Sequence, residues 1–279
     1  MIIPVKKIAK AVLAVILVGF LIFVSVVTVY LRKHAITPII MYHSIEAKAA
    51  DKKNLLVVGA AAFEEQMRFL REHKYNVISL KELANLIKNK LPIPPKTVVI
   101  TFDDGYKNNL TVALPVLKRY NLPATIFVAP TEISRVPYYL NWEELKSLSE
   151  TPLIDIGAHS MSHAFLPGIK DENTLIYEIR GSKKMLEKKL GKNISLFSYP
   201  AGGFNKKIRQ IVIDSGYLAA VTSKPGIGYP SNDIYALKRI RISESKYNLP
   251  VFWYKVSGVY TPAQEWQRRH KDKGILHGY

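Results

Sequence analysis

From residue 36 onward, short apolar runs of strand length alternate with stretches of helical period. The runs fall at residues 36–42, 76–79, 97–102, 124–128, 153–158, 195–199, 218–222 and 237–242. Between them, Phe63, Met67 and Leu70 recur at helical spacing, as do Leu83, Leu86 and Ile87, and a long amphipathic stretch fills residues 172–190. The cluster Pro92, Pro94, Pro95 marks a loop. About eight strands with helices between most of them predict a parallel α/β sheet, and that number favours closure into a (β/α) barrel. An open doubly wound sheet is the alternative.

The alternation is preceded by residues 11–31, which carry no charge and are interrupted only by Gly19, Ser25 and Thr28. At about 1.5 Å per residue, such a helix matches the thickness of a bilayer core. A cleaved signal peptide is the other reading. Its apolar core usually runs only ~7–15 residues, however, and no small-x-small cleavage site follows, so an uncleaved signal anchor is expected. Lys6, Lys7 and Lys10 precede the span while Arg32 and Lys33 follow it, a slight bias towards a cytoplasmic N-terminus. The expected organisation is a short N-terminus and transmembrane anchor over residues 1–34, a folded extracytoplasmic domain over 35–262, and a basic polar tail over 263–279. The expected location is the cell membrane, with a single span.

With no cysteine in 279 residues, thiolate metal sites, disulfides and cysteine nucleophiles are excluded, so any metal must be held by histidine and carboxylate. The net charge of +18 would attract any polyanion and identifies none. No nucleic-acid-binding motif accompanies it, so a nucleic-acid partner is not expected.

Chemistry concentrates where apolar runs end. TVVITFDDGY closes a strand with Asp103, Asp104 and Gly105, and the C-terminal ends of parallel strands are where barrel active sites gather. Taken alone, Asp-Asp-Gly is equally an ordinary turn. GAHSMSH ends another strand with His159 and His163 four residues apart, a spacing that puts both rings on one side if the segment turns helically. Two histidines and one carboxylate make a facial metal site with open positions, and the second carboxylate is then free to act as a base. His43 ends the first strand in MYHSI, where a structural histidine is a serious competitor. FSYPAGGFN places Pro200 and two glycines after a strand, a backbone able to approach a ligand closely. In YALKRIRI, Lys238 and Ile240 face opposite Arg239 and Arg241, so an arginine can point into the barrel mouth, with Asp103 a candidate partner.

These ordered motifs, spread over residues 36–258, resemble the polysaccharide deacetylase family, the NodB-homology domain of carbohydrate esterase family 4. The resemblance implies a distorted (β/α) barrel of about seven or eight strands. It also implies that Asp103 is the catalytic base, and that Asp104, His159 and His163 hold a divalent metal, usually zinc. IIMYHSI, FEEQMRFLREHKYNVISLKEL and the late KRI are similar to the subgroup with a permuted barrel, which includes poly-N-acetylglucosamine deacetylases. There the histidine at position 43 is the general acid, and no late Leu-x-His triplet occurs here to compete with it. The usual RPPYG-type loop is altered to YPAGG, which leaves the Ala201 N–H as oxyanion donor and Arg239 to orient Asp103. Tyr106, Trp142, Tyr199, Pro200 and Ala201 are the residues expected to line the substrate; helix-start packing is an almost equal reading of Trp142. The implied partner is an N-acetylated polysaccharide from which acetate is released. The alternative is a glycan-binding protein that keeps the fold without the activity, a reading encouraged by the altered loop.

Overall fold

The computed structural model describes residues 16–20, 22, 25, 36–47, 54–223, 233–243, 248–265 and 267. Its strands, in chain order, are β1 (Ile39–Tyr42), β2 (Ser44–Glu46), β3 (Val57–Gly59), β4 (Asn76–Val77), β5 (Thr97–Phe102), β6 (Ala124–Val128), β7 (Ile154–Ala158), β8 (Leu196–Ser198), β9 (Ala219–Thr222) and β10 (Leu237–Arg241). All their pairings are parallel. The order β1-β10-β9-β8-β7-β6-β5 returns from β5 to β1, which closes a seven-stranded barrel and decides against the open sheet. β4 pairs with the first two residues of β5, and β1 with the last four, from Ile39↔Val99 to Tyr42↔Phe102. β2 and β3 form a separate short pair that the apolar pattern did not predict, because each is only three residues long.

Side chains alternate across a strand, so each barrel strand divides its residues between two cores. Ile39, Val99, Phe127, Leu196, Val221 and Leu237 form one cluster, joined by Leu80, Leu83 and Ala84 of the helix Leu80–Lys88. Ile40, Val98, Ile100, Phe102 and Ile126 belong to a second cluster with helix residues such as Phe63, Met67 and Leu70. The first set is therefore the barrel interior and the second the layer between barrel and helices. Gly157 on β7 makes room for the interior. A Cβ there would lie 2.4 Å from Phe127 Cδ1 and 3.1 Å from the Leu196 carbonyl oxygen.

Local sequence sets the helix starts. Asn141 and Glu144 form a reciprocal capping box at the helix Trp142–Glu150, with bonds of 2.8 and 2.9 Å, and Ser79 and Asn205 cap the helices Leu80–Lys88 and Lys206–Asp214. The expected long helix over 172–190 is present but broken in register. Glu172–Ile176 and Ser182–Leu190 are α-helical, and Tyr177–Gly181 between them is a π turn.

The expected C-terminal tail begins too early. Residues 260–265 are helical and Thr261 is buried. Lys238 is also buried, on the face of β10 away from the barrel interior, and it forms an ion pair with Glu265. A buried ammonium group requires a partner, and this one draws the start of the tail onto the barrel. Residues 266 and 268–279 lie outside the described residues, as does most of the expected membrane span. Residues 16–20, 22 and 25 of that span are helical and exposed. Among the described residues no helix is long and apolar enough to cross a membrane.

Candidate active site

The interior-facing rows of the barrel change from apolar to polar as the strands approach their C-terminal ends. On β5 the row reads Val99, Thr101, Asp103; on β10, Leu237, Arg239, Arg241; on β8, Leu196, Ser198; and His43 and His159 follow the last residues of β1 and β7. The Asp103 N–H still donates to the Tyr42 carbonyl at 3.0 Å, and the His159 N–H to the Val128 carbonyl at 2.9 Å. Both side chains thus stand on the rigid ladder. Beyond them the backbone turns sharply, with Asp104 at φ +73, His163 at φ +57 and Ala201 at φ +50. Non-glycine residues in the left-handed region are uncommon and persist where surrounding structure enforces them, often at functional sites.

Asp104, His159 and His163 converge, with one potential ligand atom from each lying within 4.8 Å of the others. His159 is buried, and its Nδ1 lies 2.8 Å from the Ser198 carbonyl oxygen. A carbonyl can only accept, so Nδ1 carries the proton and Nε2 presents a lone pair. That Nε2 is 3.6 Å from Asp104 Oδ1, and His163 Nε2 is 3.3 Å from the same oxygen. Asp104 Oδ1 is buried but has no well-aligned hydrogen bond. Burial acts to raise the Asp104 pKa, but His163 and His159 outweigh it and the carboxyl titrates below its usual range. Two imidazole nitrogens and a carboxylate oxygen without a hydrogen-bond partner fit zinc or another divalent ion. The two histidines are brought together by a turn and not by the helix that their spacing allowed. Their ring centroids lie 4.8 Å apart.

Asp103 is held differently. Arg239 donates to both of its oxygens, at 2.7 and 2.6 Å, and also to Thr101 Oγ1 at 3.2 Å and Ser198 Oγ at 2.8 Å. Burial pushes the Asp103 pKa up, yet Arg239, followed by His159 and His43, holds the carboxyl well below the ordinary carboxylate range. Asp103 is therefore an anion of fixed orientation, and the predicted partnership with Arg239 is present in bidentate form. His43 lines the same cleft, and its Nδ1 is buried without a hydrogen-bond partner. Burial lowers its pKa, with Asp103 and Asp104 acting in the opposite direction.

The cleft measures about 580 Å³, and His43, Asp103, Asp104, His159, His163, Arg239 and Ala201 all line it. The remaining predicted substrate residues are more scattered. Tyr199 is fully buried, with its hydroxyl donating to the Tyr235 carbonyl at 3.0 Å, and Pro200 is buried beside it. Tyr106 packs against Tyr139 and Tyr138, and Tyr139 adjoins Asp104 and His163 in a smaller side pocket. Trp142 lies beneath Lys189, whose ammonium is 5.3 Å from the ring centroid, and packs against the outer core. It does not line the cleft, so the helix-start packing reading describes it.

Two contributions were not predicted. Glu178, in the π turn, is buried; its carboxylate accepts from the Met161 N–H (2.9 Å), the Ser162 N–H (3.0 Å) and Ser162 Oγ (2.6 Å), which fixes the turn between the two histidines. The signal was present, since an acidic residue falls on the apolar stripe that Leu175, Ile179 and Leu186 define. The second contribution is a basic wall. Lys255, in the helix Asn248–Val256, lines the cleft with Arg241, and its Nζ donates to the Arg241 carbonyl at 2.8 Å. Burial, with Arg241 adding to it, pushes the Lys255 pKa down to about 8. No short-range pattern links two residues so far apart in sequence.

Comparison with known proteins gives this arrangement a lineage. A family model described as polysaccharide deacetylase matches residues 90–220, the segment that holds both the Asp-Asp pair and the two histidines. YxkH of Bacillus subtilis (strain 168), named for the same activity, is 33% identical over 212 residues, covering 76% of this chain and 73% of its own length. The chain belongs to the polysaccharide deacetylase family. It is similar to the poly-beta-1,6-N-acetyl-D-glucosamine N-deacetylase of Staphylococcus aureus (strain N315), at 26% identity over 68% of this chain and 69% of that protein. Among solved structures, the Streptococcus pyogenes deacetylase PplD in complex with acetate superposes with a TM-score of 0.69 at 28% identity, over 77% of this chain and 96% of that one. The expected family and enzyme class are thus confirmed.

Proposed function

We propose that this deacetylase hydrolyses N-acetyl groups from an N-acetylglucosamine-containing polysaccharide outside the cytoplasm, with Asp104, His159 and His163 as ligands of a divalent metal, zinc first among the candidates. The observation that carries the reading is the convergence of a half-buried carboxylate and two histidines beside a second, separately oriented carboxylate in one cleft. When bound, such an ion supplies Lewis-acid polarisation of the acetamide carbonyl and acidifies water.

The remaining chemistry falls to the chain's own residues. Asp103, anionic and held at both oxygens by Arg239, accepts a proton from the attacking water. As the acetamide carbon becomes tetrahedral, negative charge grows on its oxygen, and the Ala201 N–H donates to it, an interaction worth about 3–4 kcal/mol where such donors have been removed. His43, across the cleft, delivers a proton to the amide nitrogen as the C–N bond breaks. The products are acetate and a free glucosamine amine. The fixed tautomer of His159 serves this scheme by keeping Nε2 unprotonated.

The apolar run over residues 11–31 is proposed as an uncleaved anchor that holds the domain of residues 35–262 at the outer face of the membrane. Its length and the lysines that precede it support this.

The test is acetate release from N-acetylglucosamine oligomers, with and without a chelator. Asp103→Asn is expected to abolish turnover while metal still binds, and His159→Ala to lose both. Near-normal release by Asp103→Asn would remove Asp103 from its role.

A further inference from the structure

The charges lining the cleft are unevenly matched. Arg239 is taken up by Asp103, and Lys238, on the opposite face of β10, by Glu265. Arg241 and Lys255 have no carboxylate partner among the described residues. Both nevertheless line the cleft that contains the metal ligands, at the wall formed by the end of β10, the helix Asn248–Val256 and the helical residues 260–265. Lys255 Nζ is fixed by the Arg241 carbonyl at 2.8 Å, so its charge is held beside a second positive charge. Tyr260, Thr261 and Gln264 complete this wall with hydrogen-bonding groups.

Two adjacent cations, the Lys255 ammonium half-buried and the Arg241 guanidinium exposed, repel one another, and a neutral sugar does nothing to offset that repulsion. They would also repel the amine formed by deacetylation. A negative charge brought by the substrate itself reverses both effects. We propose that Arg241 and Lys255 form a subsite for an anionic substituent, carboxylate or phosphodiester, on the glycan next to the sugar being deacetylated. The proposal deepens the deacetylase reading and rests on it for the identity of the neighbouring sugar. A strictly neutral N-acetylglucosamine homopolymer is then a poorer substrate than an acidic glycan.

The experiment compares three oligosaccharides of equal length with the metal-loaded full chain: a neutral N-acetylglucosamine oligomer, one alternating with a carboxylate-bearing N-acetyl sugar, and one carrying a phosphodiester. Acetate release gives kcat/KM, and calorimetry gives Kd for each. A partly exposed ion pair contributes a few-fold in affinity, so two together predict a preference of about tenfold for at least one acidic oligomer at low salt. The preference should shrink in 1 M salt, where the screening length is about 3 Å. In Arg241→Gln/Lys255→Gln the ratio of acidic to neutral kcat/KM should fall towards one. This ratio is insensitive to a general loss of folded or metal-loaded protein. Comparison of the two acidic arms identifies which anion the wall accepts. Equal kcat/KM for neutral and acidic oligomers in the wild type, or a preference that survives the double substitution, would overturn the subsite. Should no oligomer release acetate, it is the proposed hydrolysis that fails, and the same contrast read in Kd decides the subsite on its own.

Discussion

At the scale of single residues, the most consequential pair is Asp103 and Arg239. Both are buried, and two hydrogen bonds join them. Such a pair contributes little net stability compared with apolar packing, but removal of one member leaves an uncompensated charge inside the barrel. Arg239→Met is therefore expected to lower the unfolding free energy by about 3–5 kcal/mol in denaturant titrations, and activity with it. Asp103→Asn/Arg239→Met should recover part of that stability and none of the activity. If Arg239→Met were as stable as the wild type, the carboxylate would have found another partner, and its orientation would not depend on Arg239. Neighbouring carboxylates thus have separate duties. Asp103 is saturated by arginine, whereas Asp104 keeps a buried oxygen without a hydrogen bond, facing the two histidines.

At the scale of elements, the site depends on how β7 and the helix beyond it are shaped. Gly157 allows Phe127 to fill the barrel beneath Arg239, whose guanidinium carbon lies 5.5 Å from the Phe127 ring centroid. Gly157→Ala would press on a fully buried ring with nowhere to go, and a destabilisation of about 1–3 kcal/mol in urea unfolding is expected. The π turn Tyr177–Gly181 has the complementary task, because it aims Glu178 at the loop between His159 and His163. Glu178→Gln retains the size of the side chain but loses the anionic acceptor for two N–H groups. Zinc titration into the metal-free protein should show an affinity about 10–100-fold weaker, in line with the loss of groups that orient ligands. Turnover at saturating zinc should fall far less. Unchanged zinc affinity would mean that the loop holds its shape without Glu178.

At the scale of the whole molecule, a chain lacking residues 1–34 is expected to leave the membrane fraction for the soluble one, while acetate release from soluble oligomers is unaffected; persistence in the membrane pellet would place the attachment elsewhere. Among the described residues, closure of the barrel runs through β1 and β5–β10. Strand runs such as residues 97–102 and 124–128 were legible in sequence because burial on both faces demands continuous apolar residues, a purely local requirement. The strand-end positions of Asp103, His159 and His43 were legible for the same reason. What the sequence by itself determined, then, was the α/β alternation, the family, and which polar residues sit where strands end. The tertiary structure alone decided that β1 meets β5 to close the barrel, that a turn and not a helix pairs His159 with His163, that Trp142 packs outside the cleft, that Glu178 holds the loop between the two histidines, and that Arg241 and Lys255 line one wall of the cleft together. Periodicity records the environment of one segment, whereas closure, ion pairing and the lining of a cleft depend on which distant segments the folded chain brings within a few ångströms.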